Sequence, residues 1–264
     1  MLVGQHLAIV SPKPQATRLP VVGLRTEEDT QYIFHDLPGL LEPTYLMQER
    51  MRALAFEGLD TADVILHLHP APAGTAPPFT TAAGLATPPA APVITVYTKM
   101  DLIEATDGQM GRWADGLPVS AQTGAGLSQL LAAVRRRLPQ REFEFDPADV
   151  GTQPLRFFVV EYLREAAFQV LEEEVPYAVT AEVEEFREDA RPVYIRITLY
   201  VERESQKGIV VGRGGQTIKA IGIHARARME SLLGTAVFLD CRVKVLPNWR
   251  KHASALERFG FPGP

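Results

Sequence analysis

Residues Gly208–Gly222 read Gly-Ile-Val-Val-Gly-Arg-Gly-Gly-Gln-Thr-Ile-Lys-Ala-Ile-Gly, a spacing of glycine, cationic and apolar positions that suits phosphate chemistry. The apolar run Ile209-Val210-Val211 leads into Gly212-Arg213-Gly214-Gly215, and Ile218, Ile221, Ala225, Met229 and Leu232 then recur at helical spacing. The pattern predicts a helix, a G-x-x-G turn and a second helix. Glycines carry no Cβ, so a nucleic-acid backbone can lie against the turn. The free N–H groups and positive dipole end of the second helix face the same place. Between Ser205 and His252, nine basic residues stand against two acidic ones, on a chain whose net charge is −5. That asymmetry predicts a local phosphate-binding face on an acidic protein, where a merely solvated helix face would mix both signs.

The helix–G-x-x-G–helix unit resembles the clamp of a KH domain, which implies single-stranded RNA as the ligand. The surrounding pattern agrees. Leu155, Phe158, Val159, Tyr162, Leu163, Ala166, Val170 and Leu171 trace one helix face. Tyr177, Val179, Ala181 and Val183 alternate, as do Val193, Ile195, Ile197, Leu199 and Val201, which predicts two strands. A last strand runs through Val237, Leu239, Cys241, Val243 and Val245. Helix, strand, strand, helix, helix, strand is the order of a type II KH domain, an α+β unit.

The first half reads as alternating strands and helices. Strands are expected at 31–35, 63–68 and 92–97, with a helix over 45–60 and another through Leu127, Leu130, Leu131, Val134 and Leu138. This order predicts an α/β unit with a mainly parallel sheet. Residues 70–92, rich in Pro, Ala, Gly and Thr, read as loop with at most one poor helix. Residues 139–154 read as a linker, and the expected domains are 1–146 and 147–264.

Three strand ends in this half carry Asp36-Leu37-Pro38-Gly39, Thr98-Lys99-Met100-Asp101 and Ser120-Ala121-Gln122, which resemble the signature set of GTPases in order and spacing. Over essentially its full length the chain resembles the Era family, the bacterial KH-domain GTPases of ribosome assembly. The matching runs are Ser11-Pro-Lys-Pro-Gln-Ala-Thr-Arg18, Asp36-Leu-Pro-Gly-Leu40, Pro176-Tyr-Ala-Val179, Tyr200-Val-Glu-Arg-Glu-Ser-Gln-Lys207, the clamp itself, Val243-Lys-Val-Leu-Pro-Asn-Trp249 with Arg250, and Ala255-Leu-Glu-Arg-Phe-Gly260.

The resemblance implies GTP or GDP with Mg²⁺ as cofactors, and a nucleotide site of Thr17, Asp36, Leu37, Pro38, Gly39, Leu40, Thr98, Lys99, Met100, Asp101, Ser120 and Ala121. Thr17 and Asp36 would serve the metal, Gly39 the terminal phosphate, and Lys99 the face of the base. Asp101 would accept two hydrogen bonds from guanine that adenine cannot supply. The Ser120-Ala121 backbone would donate to the guanine carbonyl. Lys207, Gly212, Arg213, Gly214, Gly215 and Lys219 would grip RNA. The implied partners are small-subunit (16S) ribosomal RNA near its 3′ end and the small ribosomal subunit, with peripheral membrane association, a monomer and a cytoplasmic setting.

The sequence departs from the family in ways that leave GTP hydrolysis open. Asp-Thr-Pro-Gly is Asp-Leu-Pro-Gly here, Asn-Lys-x-Asp is Thr-Lys-x-Asp, and a Thr-Thr pair is Ala16-Thr17. No G-x-x-x-x-G-K-[ST] phosphate loop occurs in the 264 residues. Met1-Leu-Val-Gly-Gln5 resembles the end of the helix that follows that loop. The expectation is therefore a sheet incomplete at its N-terminal side, with a complete loop preceding Met1. The rival is an RNA-binding protein with a non-hydrolysing GTPase relic. A metabolic α/β enzyme with an appended domain has only the strand–helix alternation behind it.

Composition agrees with a folded protein, since 46% hydrophobic and 22% charged residues are ordinary for a globular chain. The single cysteine, Cys241, excludes an intrachain disulfide and reads as a core thiol. His67 and His69, two apart on a strand, read as packing residues for want of a third metal ligand. Trp249 reads as packed rather than stacked on a base.

Overall fold

The computed structural model describes residues 2–103, 113 and 115–263. They form two compact units: one of residues 1–6, 23–35 and 55–150, the other of 7–22, 36–54 and 151–264.

The first unit is built on parallel strands. Strand β1 (Val21–Glu27) and strand β2 (Thr30–Asp36) form a two-stranded sheet, of which residues 23–35 belong to this unit. Helix α1 (Leu46–Thr61) follows, and its last turns belong here. Then β3 (Ile65–Pro70) pairs in parallel with β4 (Val93–Thr98), which pairs in parallel with β5 (Leu117–Pro118). Between β3 and β4, the Pro- and Ala-rich segment holds one short 3₁₀ turn and the five-residue helix α2 (Phe79–Ala83), as its prolines demand. Helix α3 (Leu127–Arg135) turns Leu130, Leu131 and Val134 inward against Ile94, Val96 and Val119. Tyr32 of β2 joins the same core, although β2 shares no ladder with β3.

The second unit follows the expected order with additions. Helix α4 (Leu155–Val170) buries Phe158, Val159, Tyr162, Leu163 and Ala166. Helix α5 (Val175–Ala178) comes next, then β6 (Thr180–Arg187) antiparallel to β7 (Val193–Val201). Helices α6 (Glu204–Val211) and α7 (Gln216–Leu233) cross over to β8 (Val237–Val245), which runs parallel to β7. A crossover through helices is what a parallel neighbour requires. Helix α8 (Ala253–Arg258) closes the chain; Leu256 and Phe261 pack with Trp249 and with Met47 and Met51 of α1.

The structure corrects the sequence reading in four places. Tyr177 and Val179 lie outside β6, because Pro176 in the first turn of α5 starts a helix there. Strand β1 and helix α8 are additional elements. Residues 2–5 form turns rather than a helix end, with Leu2 packed on the first unit's core.

Candidate functional site: an RNA-clamp turn and two nucleotide half-sites

The clamp turn is held by glycine stereochemistry. Helix α6 starts where the buried Gln206 carboxamide oxygen accepts the Glu202 and Arg203 N–H groups at 3.0 and 3.1 Å. It ends at Gly212, whose φ is 72°, and a Cβ there would lie 2.1 Å from Thr217 Oγ1. Only glycine fits. Gly214 and Gly215 also have positive φ (59° and 79°), but no atom lies within 4 Å of a Cβ built at either. The turn is therefore fixed on its inner side and open on its outer side, where Arg213 and Lys219 are exposed. Helix α7 begins at once with Gln216, so its first N–H groups lie beside the open turn. Lys207, on α6, lies near Glu204 of its own helix at 3.9 Å and stays 41% exposed. All six residues expected to grip RNA thus fall on one helix–turn–helix.

Behind the clamp, Gly222 of α7 lies against Cys241 of β8, a Cβ on it coming within 3.8 Å of the sulfur. Burial pushes the Cys241 thiol up to about 12, so it stays a protonated packing group. Trp249 is fully buried and its indole N–H donates to the Ala178 carbonyl at 2.9 Å, as expected of a packing residue. Arg226 and Arg228 diverge, toward Glu230 (3.9 Å) and Glu165 (3.7 Å) respectively.

In the first unit, the ends of β4 and β5 bring Thr98–Asp101 and Ser120–Ala121 together. Lys99 adopts a left-handed backbone (φ 59°), which turns the Met100 N–H onto the Val119 carbonyl at 3.2 Å. The Ser120 side chain is 1% exposed, and its hydroxyl donates to one Asp101 carboxylate oxygen at 2.5 Å. Asp101 itself is exposed, so its second oxygen is left to accept from a ligand edge. The Ser120 loop closes tightly: the Ser120 N–H donates to Ala125, and a Cβ on Gly126 would fall 2.1 Å from the Pro118 carbonyl. Thr98 Oγ1 donates to the His69 carbonyl at 3.5 Å, and Met100 packs on Ala71, Tyr97 and Trp113. Met100 therefore supports the loop from beneath. His67 and His69 pack edge-on against Phe79 and Tyr97, with ring centroids 5.4 and 6.1 Å apart.

In the second unit, Thr17 Oγ1 donates to Asp36 Oδ2 at 3.0 Å. Desolvation raises the Asp36 pKa against the opposing pull of the Thr17 hydroxyl, with Glu161 adding a further rise. A carboxylate and a hydroxyl side by side, the former relieved by positive charge, suit a hard divalent cation. Two oxygens are too few to hold one alone, and among the described residues no group of three His, Cys, Asp or Glu could do so. Such an ion would need oxygens from a bound phosphate. Leu37, Gly39 and Leu40 follow Asp36 as an irregular stretch around the buried Pro38, and nothing lies within 4 Å of a Cβ on Gly39. The base-reading set and the metal set thus lie in different units.

The sequence reading missed Arg164, a buried cation among the apolar residues of α4, which donates to the Ala16 carbonyl at 2.8 Å. A charge within an apolar helical stretch was its only signal.

The family model described as KH domain matches residues 174–250, and the one described as 50S ribosome-binding GTPase matches residues 1–99. GTPase Era of Carboxydothermus hydrogenoformans is 35% identical, over 98% of this chain and 91% of that protein. GTPase Era of Desulfovibrio desulfuricans is 36% identical, over 98% and 90%. A crystal structure of Era in complex with MgGDPNP and nucleotides 1506–1542 of 16S ribosomal RNA superposes with a TM-score of 0.92 at 32% identity, covering 99% of this chain and 92% of that one. A point variant of Aquifex aeolicus Era bound to GDP and AlF₄⁻ superposes at 0.93 with 32% identity, covering 99% and 93%.

Proposed function

The chain belongs to the Era family of GTPases, and from that premise we propose that it binds small-subunit ribosomal RNA through the Gly212–Gly215 turn, binds GTP with Mg²⁺, and assists assembly of the small ribosomal subunit. The observation that carries the proposal is the clamp. Its turn is closed toward Thr217 and open toward solvent, and it sits within the basic stretch. Single-stranded backbone lies against the open side, with the first N–H groups of α7 and the ammonium of Lys219 facing its phosphates. The 16S ribosomal RNA in the related complex is the reason for choosing small-subunit RNA.

The same reading gives the other residues their work. Asp101 selects guanine with its free carboxylate oxygen while Ser120 fixes the carboxylate's orientation. Thr98 and the Lys99 turn shape that pocket. Thr17 and Asp36 hold the metal, which when bound neutralises charge on the phosphates.

Fluorescence anisotropy with an RNA matching the 3′ end of 16S ribosomal RNA tests the proposal. Gly214→Asp should weaken binding at least tenfold by charge and backbone strain, and Lys219→Ala should lower both affinity and its salt dependence, by about one phosphate contact. Unchanged affinity in Gly214→Asp at moderate salt would reject the clamp. The intact mass of the protein from its own cells separates the two nucleotide readings. A mass about 2–3 kDa above 29.1 kDa means a strand, loop and helix upstream. An equal mass favours the non-hydrolysing relic, for which Leu37 and Thr98 already speak.

A further inference from the structure

Thr17 is bracketed. On one side, Arg164 of α4 donates to the Ala16 carbonyl at 2.8 Å. On the other, the Arg18 guanidinium donates to the carbonyls of Val179 (2.7 Å), Tyr177 (2.9 Å) and Pro176 (3.2 Å) and lies 5.9 Å from the centroid of the Trp249 ring. Further along, the Tyr177 hydroxyl donates to the Pro14 carbonyl at 3.3 Å, and the Lys13 ammonium donates to Phe168 O at 2.8 Å, at the C-terminal end of α4. The backbone between is bent sharply, with Gln15 at φ 61°. A left-handed non-glycine residue persists where its surroundings impose it.

The anchors are expensive for what they give to stability. Arg164 and Glu161 are a buried ion pair at 2.6 Å, each side chain 4% exposed, and among the described residues Arg164 Nε and Glu161 Oε2 have no hydrogen-bond partner. Buried ion pairs left partly unsatisfied stabilise a fold less than apolar packing of the same size. Arg18 is 3% exposed, and both of its terminal guanidinium nitrogens donate to the 176–179 segment. These groups instead fix one backbone site, and that site presents the Thr17 hydroxyl to Asp36.

We propose that Arg164 and Arg18 are positioning residues for Thr17, so that helix α4 and the 176–179 segment, which belong to the unit that carries the clamp, set the affinity for the magnesium–nucleotide complex. The proposal rests on the nucleotide reading above, and gives a role to Arg18 and Pro176–Val179, which matched the family without one. Whatever shifts α4 shifts the hydroxyl, and by linkage the metal-bound nucleotide steadies α4.

The test uses the full-length native protein in five forms: wild type, Thr17→Ala, the paired replacement Glu161→Leu/Arg164→Met, all three changes together, and Arg18→Lys. The paired replacement removes both members of the ion pair together, so neither is left buried without the other. Without nucleotide, amide exchange in residues 14–18 should quicken at least tenfold in the paired variant while β7 stays protected, which controls for folding. With a fluorescent GTP analogue, the magnesium-dependent part of the affinity should fall about tenfold or more in the paired variant, the scale seen when supports of metal ligands are removed. It should fall no further when the pair is changed in the Thr17→Ala background. Arg18→Lys, which keeps charge and loses the fork, should show a smaller fall. Unchanged exchange at 14–18, or an undiminished loss in the Thr17→Ala background, would overturn the positioning role alone. A wild type without magnesium-dependent GTP affinity would overturn the nucleotide reading and this proposal with it, before any variant is made.

Discussion

At the scale of single residues, Gly212 and Asp36 differ in what constrains them. Gly212 is dictated by φ and by Thr217. Gly212→Ala should destabilise the RNA-binding unit by about 1–3 kcal/mol, the range for a forced clash with strained backbone, measurable by urea unfolding. Asp36 carries a raised pKa, so its ionised form is less favourable in the folded chain than in the unfolded one. The resulting cost is absent at low pH, appears as pH rises through the unfolded carboxylate range, and is complete above the folded pKa. Without nucleotide, Asp36→Asn should therefore raise the melting temperature at pH 7 and lose that advantage near pH 4. His67 runs the other way. Burial, then the charge of His69, lowers its pKa, so its contribution is intact above about 6.5 and fades as pH falls through that value toward the folded pKa. His67→Phe should flatten the decline in thermal stability between pH 7 and pH 5; an unchanged slope would place the proton uptake elsewhere. The types of these residues were legible in the sequence. Their charge states were not, because desolvation is a property of the surroundings.

At the scale of elements, strong periodicity was legible and weak periodicity was not. The alternation of Val193, Ile195, Ile197, Leu199 and Val201 gave β7 to within a residue of its observed bounds, and the heptad-like spacing of α4 did the same. Strand β1 escaped because Gly23 interrupts its apolar side and Arg25, Thr26 and Glu27 end it. Helix α8 has six residues, too few for a period, and depends on Leu256 packing under Trp249. Alternation at Tyr177 and Val179 suggested a strand, but Pro176 decided for a helical turn. The clamp was readable because its glycines carry a backbone requirement that is local. The bracket on Thr17 was not, since Arg18 and its three carbonyl partners are separated by 158 to 161 positions.

At the scale of the molecule, the two units interleave along the chain, and each takes segments from both sides of the other. The GTPase-like motifs are consequently divided: the base-reading loops belong to the unit of parallel strands, while Thr17 and Asp36 belong to the unit that carries the clamp. Protection of residues 14–18 from amide exchange should therefore follow unfolding of β7 in urea rather than unfolding of β4. Matching the β4 transition would contradict the division.

The distance between Arg18 and its carbonyl partners also has a meaning in time. A ribosome adding about 5–20 residues per second makes Pro176–Val179 roughly 10–30 s after Arg18. Through that interval the Arg18 guanidinium lacks all three of its carbonyl partners. The newborn chain therefore passes through a stage in which the first unit can assemble while residues 7–22, which belong to the second, wait without their C-terminal anchors, open to chaperones and proteases, until the last third of the protein arrives.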